Sequence, residues 1–340
     1  MRKLLNTLYV TTPESYLSKD GQNVVISVNQ KEVFRIPVIN IEAVVTFGYV
    51  GASPGVMKLC ADNGISLTFL SPNGRFISRV QGSTKGNVLL RVTQYRLADN
   101  EDVSLHLSKL FIAGKIQNYR NILRRWIRDN GEDDAIYSAA NYLDNCRRKI
   151  IQASSHNELR GVEGGAAGEY FGVFSIMILH QKSHFIFNGR NRRPALDAVN
   201  TMLSFVYTLI ANDVVAALET IGLDPYVGFL HTLRPGRTSL ALDVMEELRA
   251  YLGDRLVLSL INRKQVNIRD FIIQGESGVV LNDNGRKIVI GAWQSRKKEL
   301  ITHPYLQERI PIGLLPYVQS MLLARYLRGE LEDYPVFVIK

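Results

Sequence analysis

The hydrophobic period of this chain changes once, between about residues 90 and 104, and that change sets the class of fold it can adopt. Before it, β-type runs at 4–10, 24–28, 33–36, 44–47, 65–70 and 76–80 are separated by turn signals. Asn29-Gln30 and Ser71-Pro72-Asn73-Gly74 read as turns between paired strands. One helix interrupts the series, with Ser53 as N-cap, Pro54 at its first position and Gly64 as its stop. After the change, helical period runs through 105–130, 134–153, 158–180, 195–223 and 239–260. Short extended pieces are expected at 278–281 and 287–290 around a hairpin turn at Asn282-Asp283-Asn284-Gly285, with a last helix after Pro316. The expected fold is α+β: a small N-terminal β-rich domain at 1–90, a polar linker at 91–103, and a larger, mostly α-helical C-terminal domain at 104–340.

With 340 residues, 46% hydrophobic and 21% charged, the chain has enough apolar material for two globular domains. Its net charge of +9 favours a polyanionic partner. The two cysteines, Cys60 and Cys146, lack CxxC spacing, which argues against a disulfide framework or a thiolate zinc site and fits a reducing cytoplasm. Arg2 and Lys3 precede only a short apolar stretch that breaks at Thr11-Thr12-Pro13, so no signal peptide is expected. The most apolar segment, 202–223, carries Asn212, Asp213 and Glu219 and reads as a buried helix, not a membrane span. Basic residues cluster: 115–128 contains Lys115, Arg120, Arg124, Arg125 and Arg128 with no acid, and Arg120, Arg124 and Arg128 share one helical face. With Arg190, Arg192 and Arg193 they are candidates for a surface that tracks DNA phosphates; Arg296-Lys297-Lys298 is a further cluster.

Three local sequences carry candidate chemistry. Glu163 lies in Leu159-Arg160-Gly161-Val162-Glu163-Gly164, followed by small residues and Tyr170-Phe171. His231 lies in Gly228-Phe229-Leu230-His231-Thr232-Leu233-Arg234-Pro235-Gly236. Asp243 and Glu246 follow in Ser239-Leu240-Ala241-Leu242-Asp243-Val244-Met245-Glu246, three apart and therefore on one side of a helix. Carboxylates with one imidazole suit a hard divalent cation, Mg²⁺ or Mn²⁺, better than a thiol-preferring metal. The glycines near Glu163 lack G-x-G-x-x-G spacing, and Gln181 after His180 rules out an HExxH zinc helix.

These segments, in this order, resemble the CRISPR-associated endonuclease/integrase (Cas1) family. Further matches are Asp197-Ala198-Val199-Asn200-Thr201-Met202-Leu203-Ser204 with Tyr207, Asn262-Arg263, and Arg325-Tyr326-Leu327-Arg328-Gly329. The opening Leu4-Leu5-Asn6-Thr7-Leu8-Tyr9-Val10 and the closing Tyr334-Pro335 look like the subtype I-C branch. The resemblance implies metal ligation and catalysis by Glu163, His231 and Asp243, with Glu246 on the position of the family's second acid. It also implies a homodimer assembled through the β-rich domain and a Cas2 dimer as partner. The implied substrates are double-stranded DNA, both prespacer and CRISPR leader–repeat. The implied reaction is metal-dependent transesterification, in which a prespacer 3′-hydroxyl attacks the leader–repeat junction, with nuclease action as its hydrolytic counterpart. Tyr170 and Tyr207 are then packing or DNA-contact residues. Two alternatives stay open: a non-catalytic DNA-binding scaffold, and a metal hydrolase acting on a small phosphate ester.

Overall fold

The computed structural model describes residues 6–48, 50–72, 74–82, 88–191, 194–275 and 278–339. In chain order the N-terminal elements are β1 (Thr7–Val10), β2 (Ser15–Asp20), β3 (Asn23–Val28), β4 (Lys31–Pro37), β5 (Ala43–Phe47), β6 (Gly51–Ala52), α1 (Pro54–Asp62), β7 (Ser66–Leu70) and β8 (Phe76–Val80). The long helices follow: α2 (Val88–Asp99), α3 (Glu101–Asn130), α4 (Asp134–Gln152), α5 (His156–Gly172), α6 (Ala198–Ile221), α7 (Ser239–Arg249) and α8 (Arg255–Asn262). The remainder is β9 (Phe271–Ile273), β10 (Val279–Leu281), α9 (Asp283–Lys298), β11 (Leu300–Thr302), β12 (Arg309–Pro311) and α10 (Leu315–Leu327). Residues 1–85 with 281–298 form one unit, and 86–280 with 299–340 form the other. The β-rich start and helical remainder agree with the α+β expectation.

In the first unit, one sheet has the order β1-β5-β7-β8, parallel except for β8, and the other has the order β4-β3-β2-β6. The β3–β4 hairpin turns at Asn29 and Gln30, whose φ angles of 50° and 64° are those a two-residue primed turn demands. Ser53 caps α1 by accepting from Val56 N at 3.2 Å, with Pro54 inside the first turn. Leu17, Val24, Val44, Val56, Cys60 and Leu67, drawn from both sheets and α1, form a single core. Strand β2 has no counterpart among the expected runs, because its sequence SYLSKD is mostly polar; alternation buries only Ser15 and Leu17.

The second unit is organised by α3, thirty residues and about 45 Å long. Asn100 caps its start by accepting from Val103 N, and Gly131, at φ 98°, ends it. Helices α4, α5 and α7 pack along it. Gly114 permits a close approach: a Cβ there would stand 3.2 Å from Glu247 Cβ and 3.3 Å from Val336 Cβ. Asn118, fully buried, donates to the Glu247 carbonyl (2.7 Å) and the Phe337 carbonyl (2.9 Å), while its Oδ1 accepts from Ile339 N. The Glu247 carboxylate accepts from Tyr334 OH, Phe337 N and Gln319 Nε2, so α7 is tied to the C-terminal segment. Helix α6 is long and apolar enough to cross a membrane, but 67% of that window is buried inside the protein. It is a core helix.

Three expectations need correction. The segment 91–103 is no linker: α2 covers Val88–Asp99 and buries Leu90 and Gln94, and α3 starts at Glu101. Its polarity misleads because the Gln94 amide serves the backbone at Asp224 and Val227. The pieces at 278–281 and 287–290 do not make a hairpin, since only β10 is extended; β10 pairs with β9. Asn282 acts as a helix cap, accepting from Gly285 N at 2.9 Å, and α9 buries Val289, Ile290, Trp293 and Lys297 at helical spacing. That helix belongs to the first unit, where Gln294 Nε2 donates to Thr7 O. The helix expected at 158–180 ends at Gly172; a short 3₁₀ turn (Phe174–Met177) follows, and Asn262 holds Leu179 N and the Met177 carbonyl.

Burial pushes the Glu247 carboxyl up to about 7 despite its three donors. A folded-state pKa above the unfolded value binds the proton more tightly in the fold, so the associated stability is full below about 4.5 and is lost as pH rises towards 7. The thermal midpoint of wild type relative to Glu247→Gln should therefore fall between pH 5 and pH 8. A difference that is flat with pH would refute this.

Candidate functional site

Asp243 is fully buried one turn into α7, and every donor it meets comes from the loop 229–231. Its Oδ2 accepts from Phe229 N (2.6 Å) and Leu230 N (3.0 Å). Its Oδ1 accepts from His231 N (3.0 Å) and stands 2.6 Å from His231 Nδ1. Four donors on one carboxylate fix the loop and assign the proton to Nδ1, leaving Nε2 as the imidazole's acceptor. The contact needs glycine at 228, where a Cβ would lie 2.5 Å from Asp243 Oδ2 and 2.8 Å from Leu240 N. Two further clamps hold the loop. Gln94 binds Asp224 and Val227, and His156 Nε2 lies 3.2 Å from the Phe229 carbonyl.

Across from Nε2 stands Glu246, one turn further along α7, with Oε1 at 3.9 Å. Glu163 comes from α5, which starts at the Ser155 cap. Lys115, from the middle of α3, has its ammonium between the two carboxylates, paired with Glu163 Oε1 and 2.8 Å from Glu246 Oε2. Arg249 Nη2 reaches Glu246 Oε1 at 3.1 Å. Burial would raise the Glu246 pKa, but Arg249, Lys115 and His231 outweigh it and hold the carboxyl down at about 2. Burial would likewise lower Lys115, yet Glu246 and Glu163 keep its ammonium charged, well above the usual lysine range.

The sequence-expected quartet is thus brought together with an unequal division. Glu163 and Glu246 face the Lys115 ammonium and His231 Nε2 faces Glu246 Oε1, whereas Asp243, expected as a ligand, has its oxygens turned to the loop behind the imidazole. Among the described residues, no group of three His, Cys, Asp or Glu side chains converges as it stands on a point that could hold an ion. The donor set still fits a hard cation. Two carboxylates flank a resident positive charge, an imidazole nitrogen lies 3.9 Å from one of them, and Glu246 Oε2 is buried without an aligned hydrogen bond.

Tyr170 and Tyr207 are buried. Tyr170 stacks on Tyr119 at 3.8 Å and 9°, and Tyr207 donates to Asp254 between the guanidinium groups of Arg190 and Arg249. Neither is placed to act as a nucleophile. Asp254 lies in a π turn (Ala250–Asp254) joining α7 to α8, where Gly253 lets the backbone approach Tyr207.

The basic candidates fare differently. Arg120 and Arg124 share Asp144, at 2.5 and 2.7 Å, and Arg128 sits 3.2 Å from Asp129, so that face is largely neutralised by its own acids. Arg190 turns inward to Asn200 Oδ1 (2.7 Å) and Ser204 Oγ (3.0 Å). Arg192 and Arg193 lie outside the described residues. Sequence reasoning overlooked Lys115 and Arg249 as members of the site. Lys115 falls four residues from both Phe111 and Tyr119, on the buried stripe of α3, and that position was the available signal.

Gly228→Ala should cost about 1–3 kcal/mol, because the new methyl group overlaps Asp243 and the start of α7. Gly164→Ala, whose Cβ would meet nothing within 4 Å among the described residues, should hold or raise the unfolding midpoint. Thermal unfolding of the pair checks this, and equal midpoints would contradict the packing argument.

A sequence model of the family described as CRISPR associated protein Cas1 matches residues 8–295. The chain is 50% identical, over 99% of both chains, to CRISPR-associated endonuclease Cas1 1 of Chlorobaculum tepidum. It is 47% identical, over 98% of both, to CRISPR-associated endonuclease Cas1 2 of Rhodospirillum rubrum. In fold it is similar to a casposase bound to integration product, with a TM-score of 0.85 and 22% identity over 97% of this chain and 92% of that one. It is also similar to a CAS1 protein from Thermotoga maritima, with a TM-score of 0.82 and 22% identity over 98% of this chain and all of that one. By the family match and by near-full-length identity of this order, the chain belongs to the CRISPR-associated Cas1 family.

Proposed function

We propose that this protein is the divalent-metal-dependent DNA endonuclease and integrase of CRISPR adaptation, joining prespacer 3′-hydroxyls to the leader–repeat by transesterification. The observation that carries the reading is the imidazole of His231. Its Nδ1 is committed to buried Asp243, and its Nε2 lies 3.9 Å from Glu246, a carboxylate that shares the Lys115 ammonium with Glu163. Glu163, Glu246 and Nε2 would hold Mn²⁺ or Mg²⁺, with Asp243 orienting the imidazole; this reverses the ranking of the two acids expected from sequence. Bound there, a divalent ion supplies Lewis acidity and positive charge to a phosphodiester. Arg249 holds the Glu246 carboxylate in place through its contact at 3.1 Å. Gly161, Gly164 and Gly168 leave open space along α5 beside Glu163, so a polynucleotide backbone can come close to the helix.

The proposed assembly extends this reading. A Cas6-RT-Cas1–Cas2 complex shares the fold with a TM-score of 0.83, which supports a Cas2 dimer as partner. The functional form is a homodimer whose contact comes largely from the β-rich domain at 1–90. Exposed Val33 and Phe34 on the outer strand β4 support this, as an edge of that kind invites cover. Its substrate is double-stranded DNA, its compartment the cytoplasm, and its branch subtype I-C. One observation favours a second reading, a non-catalytic DNA-binding scaffold: the carboxylates are already neutralised by Lys115.

A strand-transfer assay with a 3′-hydroxyl duplex, a leader–repeat target, Cas2 and Mn²⁺ separates the two. Glu163→Gln, His231→Ala and Glu246→Gln should each lower transfer on the order of 100-fold or more. Asp243→Asn should lower it roughly 10–100-fold through the misoriented imidazole. Duplex affinity should stay within about twofold, because phosphate contacts elsewhere dominate it. Near wild-type transfer by Glu246→Gln, or transfer that survives a chelator, would overturn the metal assignment.

A further inference from the structure

The side chain that the family motifs leave unexplained is Lys115. Lysine at the centre of a thirty-residue helix is ordinarily solvated, yet this residue is 2% exposed. Phe111, Ile112, Ile116 and Tyr119 around it are buried core. Its ammonium lies 5.7 Å from the Tyr119 ring centroid and contacts both Glu163 and Glu246. Those carboxylates come from α5 and α7, so one cation joins three helices at the site.

We propose that Lys115 is a built-in counter-ion that occupies the cation position between Glu163 and Glu246 and must be displaced for a divalent metal to bind. The inference rests on the assignment of those residues as metal ligands in the preceding subsection. The physical case is direct. Two carboxylates gathered in a buried site repel each other unless a positive charge stands between them, and removing a buried partner leaves an uncompensated charge. Lys115 supplies that charge before any metal arrives, and so holds Glu163 and Glu246 at their places. The same contact makes the ammonium a competitor. Each ligand set free for the metal is a contact taken from Lys115, so metal affinity is set lower than the donor set alone would give. Lys115 is thus a positioning residue that exchanges stability of the metal-free protein against metal affinity.

Lys115→Met, measured as the full-length protein, tests this through Mn²⁺ binding (calorimetry, or the EPR signal of free Mn²⁺) and thermal midpoints with and without Mn²⁺. The metal-free midpoint should fall, and the Mn²⁺ dissociation constant should tighten by about tenfold or more. The midpoint gain on adding saturating Mn²⁺ should exceed that of wild type. If Lys115→Met does not fold, Lys115→Gln carries the same comparison, since its amide can still donate to one carboxylate. Lys115→Arg keeps the charge and should not tighten Mn²⁺ binding. A residue that merely packs would lower both midpoints equally and leave Mn²⁺ affinity unchanged, which overturns the proposal. Wild-type protein that takes up no Mn²⁺ would instead sink the metal centre itself, and the two failures are thereby distinguished.

Discussion

The carboxylate of Asp243 is the contact on which the site depends. A turn of three residues, Phe229 to His231, directs all its backbone N–H groups, along with the imidazole, to one buried side chain. A charge so completely supplied with donors tolerates burial that would otherwise be costly. The loop is placed by α7 itself, because the carboxylate sits on the helix that also carries Glu246. Orientation of the histidine and position of the second acid therefore come from one rigid element.

Around that contact the second unit is held by polar bridges between helices that would otherwise meet only through apolar faces. Asn118 and Glu247 tie α3 and α7 to the C-terminal segment; Gln94 and His156 tie α2 and α5 to the loop before His231. Such buried networks are strong when every member is satisfied. Here they also determine geometry: Lys115, Glu163 and Glu246 are brought within contact distance from three different helices. The ionic cluster is balanced internally, with Lys115 and Arg249 against Glu163 and Glu246, which makes burial of so many charges possible.

Local signals were readable wherever a residue's role depends on its immediate neighbours. Ser53 and Pro54 start α1, Asn29-Gln30 turns a hairpin, and the change from alternation to helical period separates strands from helices. Errors arose where a distant contact reassigns a polar residue. Gln94 makes 91–99 look like a solvated linker until the backbone it serves, more than a hundred residues away, is seen. Asn282-Asp283-Asn284-Gly285 has hairpin composition, but Asn282 caps a helix whose apolar face is buried in the first unit. The arginines at 120, 124 and 128 share a face as spacing requires, yet Asp144 and Asp129 decide that much of their charge is already answered.

By itself, then, the order of residues determined the two-part architecture and the family, and it singled out Glu163, His231, Asp243 and Glu246 as the candidate chemical residues. These follow from local periodicity and from motifs that survive as strings. It did not determine which acid faces the cation and which supports the imidazole, because residues three apart on a helix point to the same side and differ only in what stands opposite. Nor did it reveal Lys115 as the charge between the carboxylates. That role exists only once α3, α5 and α7 are packed together, since a lysine 48 residues from one partner and 131 from the other acquires its meaning from tertiary contact alone.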